Sequence, residues 1–272
     1  QLVVAAPLSE AEKASAHRLA TADGSLALDL TATGRIGRLE LVRTNYADPM
    51  SQPASGFTIR ERDGRETWAV ALSVHGKGES ARQQGELTAL GVAFDAGWTA
   101  GRDRIDVSVS LEDRRGQDRA FTVAFALPID ATGWSWCDSL RGARAVSADG
   151  ETADLRYVGA GASGRVSTFP AAVVAGSSGI ALWLPADRPS LARLVYRGEA
   201  HELAVAFDLA LAWGAVKQPG RATFSFSFAA VPPAHGLRAA VARMHAELPA
   251  VFGEREGVEG GGAVLDRLGG AL

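Results

Sequence analysis

The chain has 272 residues, of which 47% are hydrophobic and 22% charged, and its formal net charge is −3. This composition is typical of a globular protein with one large or two small domains, and the charge excludes a basic field for nucleic acid or a cationic face for a membrane. No apolar run approaches the roughly 20 residues of a membrane helix. The single cysteine, Cys137, excludes an internal disulfide and a multi-cysteine zinc site. The first residue is Gln1, so we expect residues upstream, and the compartment stays open, with an extracellular or periplasmic location slightly favoured over the cytoplasm.

Helices are predicted only near the two ends of the chain. A capping box at 9–12 predicts a short helix at about 9–19. After Asp23-Gly24, apolar and polar residues alternate, which predicts strands. We place these strands near 26–30, 36–41, 56–61, 67–74, 86–94, 105–111, 121–127, 171–175, 179–184, 191–196, 203–211 and 222–230. This pattern predicts an all-β protein, an antiparallel β-sandwich, in a single domain over 1–252.

The clearest neighbouring pair of predicted strands is 105–111 and 121–127. The residues between them, 113–118, are polar and include Gly116. Two alternating runs around such a turn predict a β-hairpin.

The last predicted strand leads into a helix and then a tail. Phe224, Phe226 and Phe228 share one strand face, and Pro232-Pro233 ends the strand because proline cannot donate a ladder hydrogen bond. A helix at about 236–248 follows and ends at Pro249. Its predicted apolar positions are Leu237, Val241, Met244, His245 and Leu248. Residues 253–272 are a glycine-rich tail with too little apolar pattern for a domain.

The sequence contains no convincing motif for a cofactor, a metal ion or a catalytic nucleophile. A G-x-G-x-x-G match at 159–164 is followed by β-prone residues and Pro170, and not by the helix that binds a dinucleotide, so we interpret it as a loop. No G-x-S-x-G elbow is present. The five histidines lack metal-binding spacing, and we expect them to be structural or exposed; they are His17, His75, His201, His235 and His245.

The segment 133–141 is the strongest candidate for ligand contact. If it is extended, Trp134 and Trp136 place their indole rings on the same side, beside Asp138 and Arg141. Aromatic faces next to such polar groups suit sugar rings. The structural alternative, which the residues alone favour, is that both rings close one end of the sandwich and that Asp138 and Arg141 form an ion pair. The acid pairs Asp113/Asp118 and Asp138/Asp187 cannot be placed across a cleft, so no catalytic dyad is predicted.

Six segments follow one another in a characteristic order. They are DRAFTVAFALPIDATGWSWCDSLR at 118–141, STFPAAVV at 167–174, GIALWLPADRPSLARLVY at 179–196, LAVAFDLALA at 203–212, PGRATFSFSFAAVPPAHGLRAAVARMHAELPAVF at 219–252 and EREGVEGG at 254–261. In order and spacing they resemble the galactose-mutarotase-like β-supersandwich domain that precedes the catalytic barrel of bacterial glycoside-hydrolase-like proteins.

The resemblance implies a large antiparallel two-sheet supersandwich without catalytic residues of its own. In such proteins the catalytic carboxylates lie on the barrel, and this chain ends about where a barrel would begin. The helix at 236–248 resembles the linker helix that leads to the barrel. The implied partners are a carbohydrate and either a catalytic barrel or a second copy of the chain. Within the sandwich the resemblance assigns ligand contact, and not catalysis, to Trp134, Trp136, Asp138 and Arg141.

Two alternative functions stay open on the sequence. One is a mutarotase-like epimerase or a polysaccharide lyase, which needs a histidine and a carboxylate at one concave site. His75, His201 and Glu202 are the candidates for that chemistry. The other is a purely structural interaction domain.

Overall fold

A computed structural model describes residues 15–42, 44–45, 55–64, 66–157, 170–188, 190–216 and 219–249. These residues form strands, which pair only in antiparallel fashion, and one α-helix. The elements are β1 (Ser15–Ala20), β2 (Leu26–Thr31), β3 (Ile36–Leu41), β4 (Thr44–Asn45), β5 (Gly56–Glu61), β6 (Trp68–Ala69), β7 (Val74–Lys77), β8 (Ser80–Leu87), β9 (Val92–Ala100), β10 (Ile105–Asp113), β11 (Arg119–Pro128), β12 (Ser135–Cys137), β13 (Arg144–Ala145), β14 (Glu151–Tyr157), β15 (Ala171–Ala175), β16 (Gly179–Trp183), β17 (Ala192–Arg197), β18 (Glu202–Leu211), β19 (Arg221–Ala230) and α1 (Leu237–Glu247).

Two sheets pack face to face and form the sandwich. The large sheet has the strand order β13-β12-β15-β16-β19-β10-β9-β8-β7, and the second sheet has the order β14-β17-β18-β11-β5-β6. Aromatic rings of the two inner faces pack together. The ring centroid of Phe57 in the second sheet lies 5.6 Å from that of Trp98 in the large sheet, and the centroids of Phe125 in the second sheet and Phe226 in the large sheet are 5.0 Å apart. The predicted antiparallel β-sandwich is therefore confirmed.

A third, small sheet with the order β1-β2-β3-β4 adds to the two that the sequence predicts. Its residues Leu19, Leu28 and Leu39 are fully buried and belong to the same apolar core as the sandwich. The helix predicted at about 9–19 is wrong over 15–19, which form β1, and residues 9–14 lie outside the described residues. This segment forms a strand because it pairs with β2, where Leu19 lies opposite Leu28 and its side chain is buried.

The predicted hairpin between the strands at 105–111 and 121–127 is also wrong. β10 pairs with β9 and β19 in the large sheet, whereas β11 pairs with β5 and β18 in the second sheet. The polar loop between them therefore crosses from one sheet to the other. At this crossing Nη1 of Arg119 donates to Oδ1 of Asp113 at 2.7 Å, which ties the start of β11 to the end of β10.

Two predicted strands have shifted boundaries. The run at 86–94 contains the end of β8 and the start of β9, with Gly91 at a φ of +61° in the turn between them. The run at 67–74 provides only the short β6 and the first residue of β7.

The strand and helix near the C-terminus form as predicted. Phe224, Phe226 and Phe228 face the core, and Pro232 precedes a 3₁₀ turn, Pro233–His235, before α1. The helix lies on the outer face of the large sheet, where its side chains form a second apolar cluster with that sheet. This cluster contains Leu237, Ala240, Val241 and Met244 of the helix and Val173, Ala181, Trp183 and Ala229 of the sheet. His245 is exposed and Leu248 is half-buried, so the buried side of α1 is narrower than predicted.

The position of α1 explains the continuous apolar sequences of β15 and β16. All residues of both strands are buried, because the sandwich core covers one face and α1 covers the other. No helix in the described ranges is long and apolar enough to cross a membrane. The single-domain boundary stays a prediction, and the segments 159–164 and 253–272 lie outside the described residues.

Candidate functional site

A groove of about 800 Å³ opens at the start of α1, and we call it the α1 groove. Three parts of the chain form its walls: the segment from β12 to β13, the end of β15, and the turn that leads into α1. The lining residues are Ser135, Cys137, Ser139, Leu140, Arg141, Gly142, Ala143, Ala175, Gly176, Pro233, Ala234, His235, Gly236, Leu237 and Arg238. The candidate segment 133–141 thus supplies much of one wall.

Gly236 allows α1 to begin directly against β12. Its φ is +49°, and a Cβ atom at this position would lie 3.2 Å from Sγ of Cys137. A residue with a side chain would therefore strain the backbone and crowd the sulfur. Burial raises the pKa of the Cys137 thiol, as does the nearby charge of Asp138, while the Leu237 N–H lowers it. The thiol is therefore protonated and packs as a small apolar group.

Both indole rings of this segment pack against the sandwich core. Trp136 has no exposed surface, and Trp134 is half-buried and packs against the same cluster. The ring of Trp134 lies over Gly176, where an added Cβ atom would come within 2.4 Å of the indole. A pair of exposed aromatic platforms is therefore absent from this segment, and neither tryptophan lines the α1 groove.

Asp138 and Arg141 do not pair with each other, because Asp138 binds Arg144 and Arg141 lies at the α1 groove. Oδ2 of Asp138 accepts hydrogen bonds from Nε1 of Trp136 at 3.0 Å and from Nη2 of Arg144 at 2.5 Å, so Asp138 pairs with Arg144. Arg141 is exposed on the α1 groove, and its backbone N–H donates to Oγ of Ser139 at 3.2 Å. Of the four predicted ligand residues, Arg141 lines the groove, and ligand contact by this segment stays a prediction.

The polar side chains of the α1 groove are cationic or neutral. Arg141, Arg238 and His235 line it, and none of the described lining residues is Asp or Glu. Sequence analysis missed His235 and Arg238 as groove residues. One signal was present: the first turn of α1 contains no acidic residue, although helix starts favour them.

A second cavity of about 700 Å³ lies on the outer face of the large sheet, and we call it the sheet cavity. Its lining includes small polar residues of β9, β10 and β19, together with Arg188 from the loop after β16. Arg82 and Asp95, which also line it, form a two-point ion pair at 2.8 and 2.5 Å. The hydrogen bonds from Arg82 lower the pKa of Asp95, so this carboxylate is ionised and already has a partner.

The residues considered for epimerase chemistry do not come together. His75 is exposed on the edge strand β7 of the large sheet, whereas His201 precedes β18 in the second sheet. Glu202 is buried, and this burial raises the pKa of its carboxyl group. Arg197 opposes the rise, because its Nη1 lies 3.4 Å from Oε2 of Glu202. His201 instead meets Asp130, with 3.2 Å between Nδ1 and Oδ1, and neither residue lines either cavity.

The acid pairs considered for glycoside cleavage have structural partners. Asp113 is bound by Arg119, and Asp118 accepts the backbone N–H of Trp213 at 3.1 Å. Asp138 pairs with Arg144, and Oδ2 of Asp187 lies 3.7 Å from Nε of Arg188. In the described ranges, no group of three His, Cys, Asp or Glu side chains is arranged to hold a metal ion.

No protein-family model and no curated protein matches the sequence. Solved structures of similar fold include a galactose mutarotase-like protein from Lactobacillus casei, with a TM-score of 0.52 at 10% identity over 79% of this chain and 100% of that one. A putative aldose 1-epimerase from Escherichia coli matches with a TM-score of 0.51 at 11% identity, over 79% of this chain and 99% of that one. The α-galactosidase from Lactobacillus brevis matches with a TM-score of 0.52 at 10% identity, over 89% of this chain but 42% of the enzyme. The chain therefore has the galactose-mutarotase-like β-sandwich fold.

Proposed function

We propose that this chain is a non-catalytic, carbohydrate-associated β-supersandwich of glycoside-hydrolase type that contacts glycan through the α1 groove. The observation that carries the proposal is the position of the segment 133–141, which resembles a ligand-contacting segment and forms one wall of that groove. The groove's volume of about 800 Å³ is in the range of small-molecule sites.

Two further observations support this proposal. Proteins of similar fold include ones whose names refer to sugars, a putative aldose 1-epimerase and an α-galactosidase, so a carbohydrate is the first ligand class to test. The described lining of the α1 groove offers His235 but no carboxylate to work with it. General acid–base chemistry on a sugar usually needs such a pair, which favours binding over catalysis.

The second part of the proposal is that the chain supports a partner, either a catalytic barrel or a second copy of itself. The apolar side of α1 is covered by the large sheet, so a partner would contact the polar side of the helix or its ends. Sedimentation velocity tests the second copy directly: a dimer supports it, and a monomer at all concentrations leaves the barrel as the partner.

Calorimetry with a panel of neutral and charged oligosaccharides tests the glycan contact. We expect at least one to bind, and we expect Arg141→Ala to weaken that binding. Arg114→Ala is the matched control, because Arg114 is an exposed arginine in the loop between β10 and β11. Absence of binding by a folded chain would contradict the proposal and leave a purely structural domain.

The pair formed by His201 and Asp130 favours a second candidate, a mutarotase-like epimerase. Nδ1 of His201 lies 3.2 Å from Oδ1 of Asp130, which is the type of pair that transfers protons at a sugar ring, although it lies outside the α1 groove and the sheet cavity. Polarimetry with freshly dissolved aldoses tests it. Faster mutarotation that His201→Gln abolishes would support this candidate, and rotation at the uncatalysed rate would exclude it for those sugars.

A further inference from the structure

The charges around the α1 groove identify the class of glycan that it would take. Arg141 comes from the loop after β12, while Arg238 is in the first turn of α1 and His235 is in the turn before it. These side chains are far apart in sequence but meet at one cavity. An arginine is always charged in a protein, so the groove carries at least two fixed positive charges.

These charges are not neutralised by the protein in the described ranges. Neither Arg141 nor Arg238 forms an ion pair with a described carboxylate, and no described lining residue is acidic. Asp138, the acid nearest to Arg141 in sequence, is bound to Arg144 and Trp136. The first turn of α1 also lacks an acidic residue that would offset the positive end of the helix dipole.

The sheet cavity shows the opposite arrangement. Its Arg82 donates two hydrogen bonds to Asp95, and Arg188 lies 3.7 Å from Asp187. The arginines of that cavity therefore have carboxylate partners within the chain, whereas those of the α1 groove do not.

We infer that the α1 groove binds an anionic saccharide, in which a carboxylate or a sulfate ester on the sugar pairs with Arg141 and Arg238. This inference rests on the proposed glycan contact and adds the charge of the ligand. Guanidinium groups bind planar or tetrahedral oxyanions through paired N–H donors. Ser135 and Ser139, which also line the groove, provide hydroxyl groups for the sugar's own hydroxyls.

The net charge of the protein makes this inference specific to the groove. At −3 the chain as a whole repels anions, so binding of an acidic sugar requires a local cationic site. Such binding would weaken as salt concentration rises, because exposed charges are screened.

The test compares three oligosaccharides of equal length by calorimetry: a uronic acid oligomer, a sulfated oligomer and a neutral galactose oligomer. We expect one or both anionic ligands to bind at least about tenfold more tightly than the neutral ligand, since hydrogen bonds between two charged groups are stronger than those between neutral groups. The carboxylated and sulfated arms distinguish the two sources of negative charge.

Variants locate the binding. Arg141→Gln and Arg238→Gln should each weaken anionic binding by about tenfold or more, and Arg141→Lys should retain part of it. Arg188→Gln is the matched control from the sheet cavity and should leave the affinity unchanged. Thermal unfolding of each variant confirms that it is folded.

Each outcome decides between the two claims. A neutral ligand that binds as tightly as the acidic ones would overturn the anionic inference and leave the glycan contact standing. Anionic binding that responds to Arg188→Gln, and not to Arg141→Gln, would also overturn the inference. If none of the three oligosaccharides binds, both claims are overturned for these ligands.

Discussion

Arg119 and Arg141 have opposite surroundings, and the contrast separates structural charge from charge that can meet a ligand. The side chain of Arg119 is 3% exposed. It donates to both carboxylate oxygens of Glu61, at 2.7 and 2.8 Å, and to Asp113 at 2.7 Å, while its guanidinium carbon lies 4.6 Å from the ring centroid of Phe121. Arg141 is exposed and has no carboxylate partner in the described ranges.

We call Glu61, Asp113, Arg119 and Trp213 the Arg119 cluster. Glu61 and Arg119 belong to the second sheet and Asp113 belongs to the large sheet, so the cluster joins the two layers where the chain crosses between them. Nε1 of Trp213 also donates to Asp113, at 3.1 Å. The charged groups of the Arg119 cluster pair with one another and stabilise the fold, whereas the arginines of the α1 groove are exposed to solvent. The role of an arginine is therefore indicated by its partners more than by its presence.

Among the substitutions considered, removing Arg119 should destabilise the protein most. Arg119→Met leaves two carboxylates with a lost partner, one of them fully buried, and we expect the free energy of unfolding to fall by about 3–5 kcal/mol. Urea denaturation measures this loss. The control, Arg114→Met, removes an exposed pair with Glu112 and should cost less than about 1 kcal/mol. Equal effects of the two substitutions would contradict a structural role for the cluster.

The wall of the α1 groove depends on the packing of α1. Met244 is 3% exposed beneath the helix, so Met244→Ala should cost about 2–5 kcal/mol by leaving a cavity. The exposed substitution Arg238→Ala, on the same helix, should change the free energy of unfolding by less than about 0.5 kcal/mol. A stability loss for Arg238→Ala as large as that for Met244→Ala would mean that this arginine is structural.

Acid should weaken the Arg119 cluster through Asp113. Burial alone would raise the pKa of Asp113, but hydrogen bonds from Arg119, the backbone of Gln117 and Trp213 outweigh burial and lower it to about 2. Because the folded-state pKa is lower than the ordinary 3.8, the stabilisation is present above pH 3.8 and is lost as the pH falls toward 2. It amounts to about 2 kcal/mol.

The variant Asp113→Asn isolates this contribution from those of other carboxylates. The difference in unfolding free energy between the wild type and this variant should be constant above about pH 4 and should shrink as the pH falls toward 2. Urea titrations at several pH values measure it. A difference that is independent of pH over that range would contradict the lowered pKa.

Glycine substitutions test how tightly the Arg119 cluster and the α1 groove are packed. Gly220 has a φ of +74°, and a Cβ atom there would lie 2.9 Å from the ring of Trp213 in the Arg119 cluster. Gly220→Ala should therefore cost about 1–2 kcal/mol. Gly142 in the loop of the α1 groove has no atom within 4 Å of such a Cβ, so Gly142→Ala should be tolerated. Thermal unfolding of both variants checks this, and equal shifts would contradict it.

The sequence predicted the elements better than it predicted their partners. Alternation located β10, β11 and β19 well, because each strand buries one face. It could not show that the loop after β10 leads into the other sheet, since a polar turn is compatible with a hairpin or with a crossing. The buried contact between Asp113 and Arg119 distinguishes the two only in three dimensions.

The same limit applies to the α1 groove. The spacing of Trp134 and Trp136 predicts a shared side only if the segment is extended, and it could not show that both rings pack against the core. Arg141 and Arg238 are separated by almost a hundred residues, and only the seating of α1 on the large sheet brings them to one cavity. A charge pattern of this kind leaves no local signal in the sequence.

Hydrogen–deuterium exchange with and without the tightest-binding acidic oligosaccharide shows whether the ligand occupies the α1 groove. We expect slower exchange in 138–143 and in 233–238, two of the three parts of the chain that form the α1 groove, with no change in the loop 114–118 beside the Arg119 cluster. Protection confined to the sheet cavity, at 95–97, 108–110 and 223–225, would place the ligand there and rule out the α1 groove as its site.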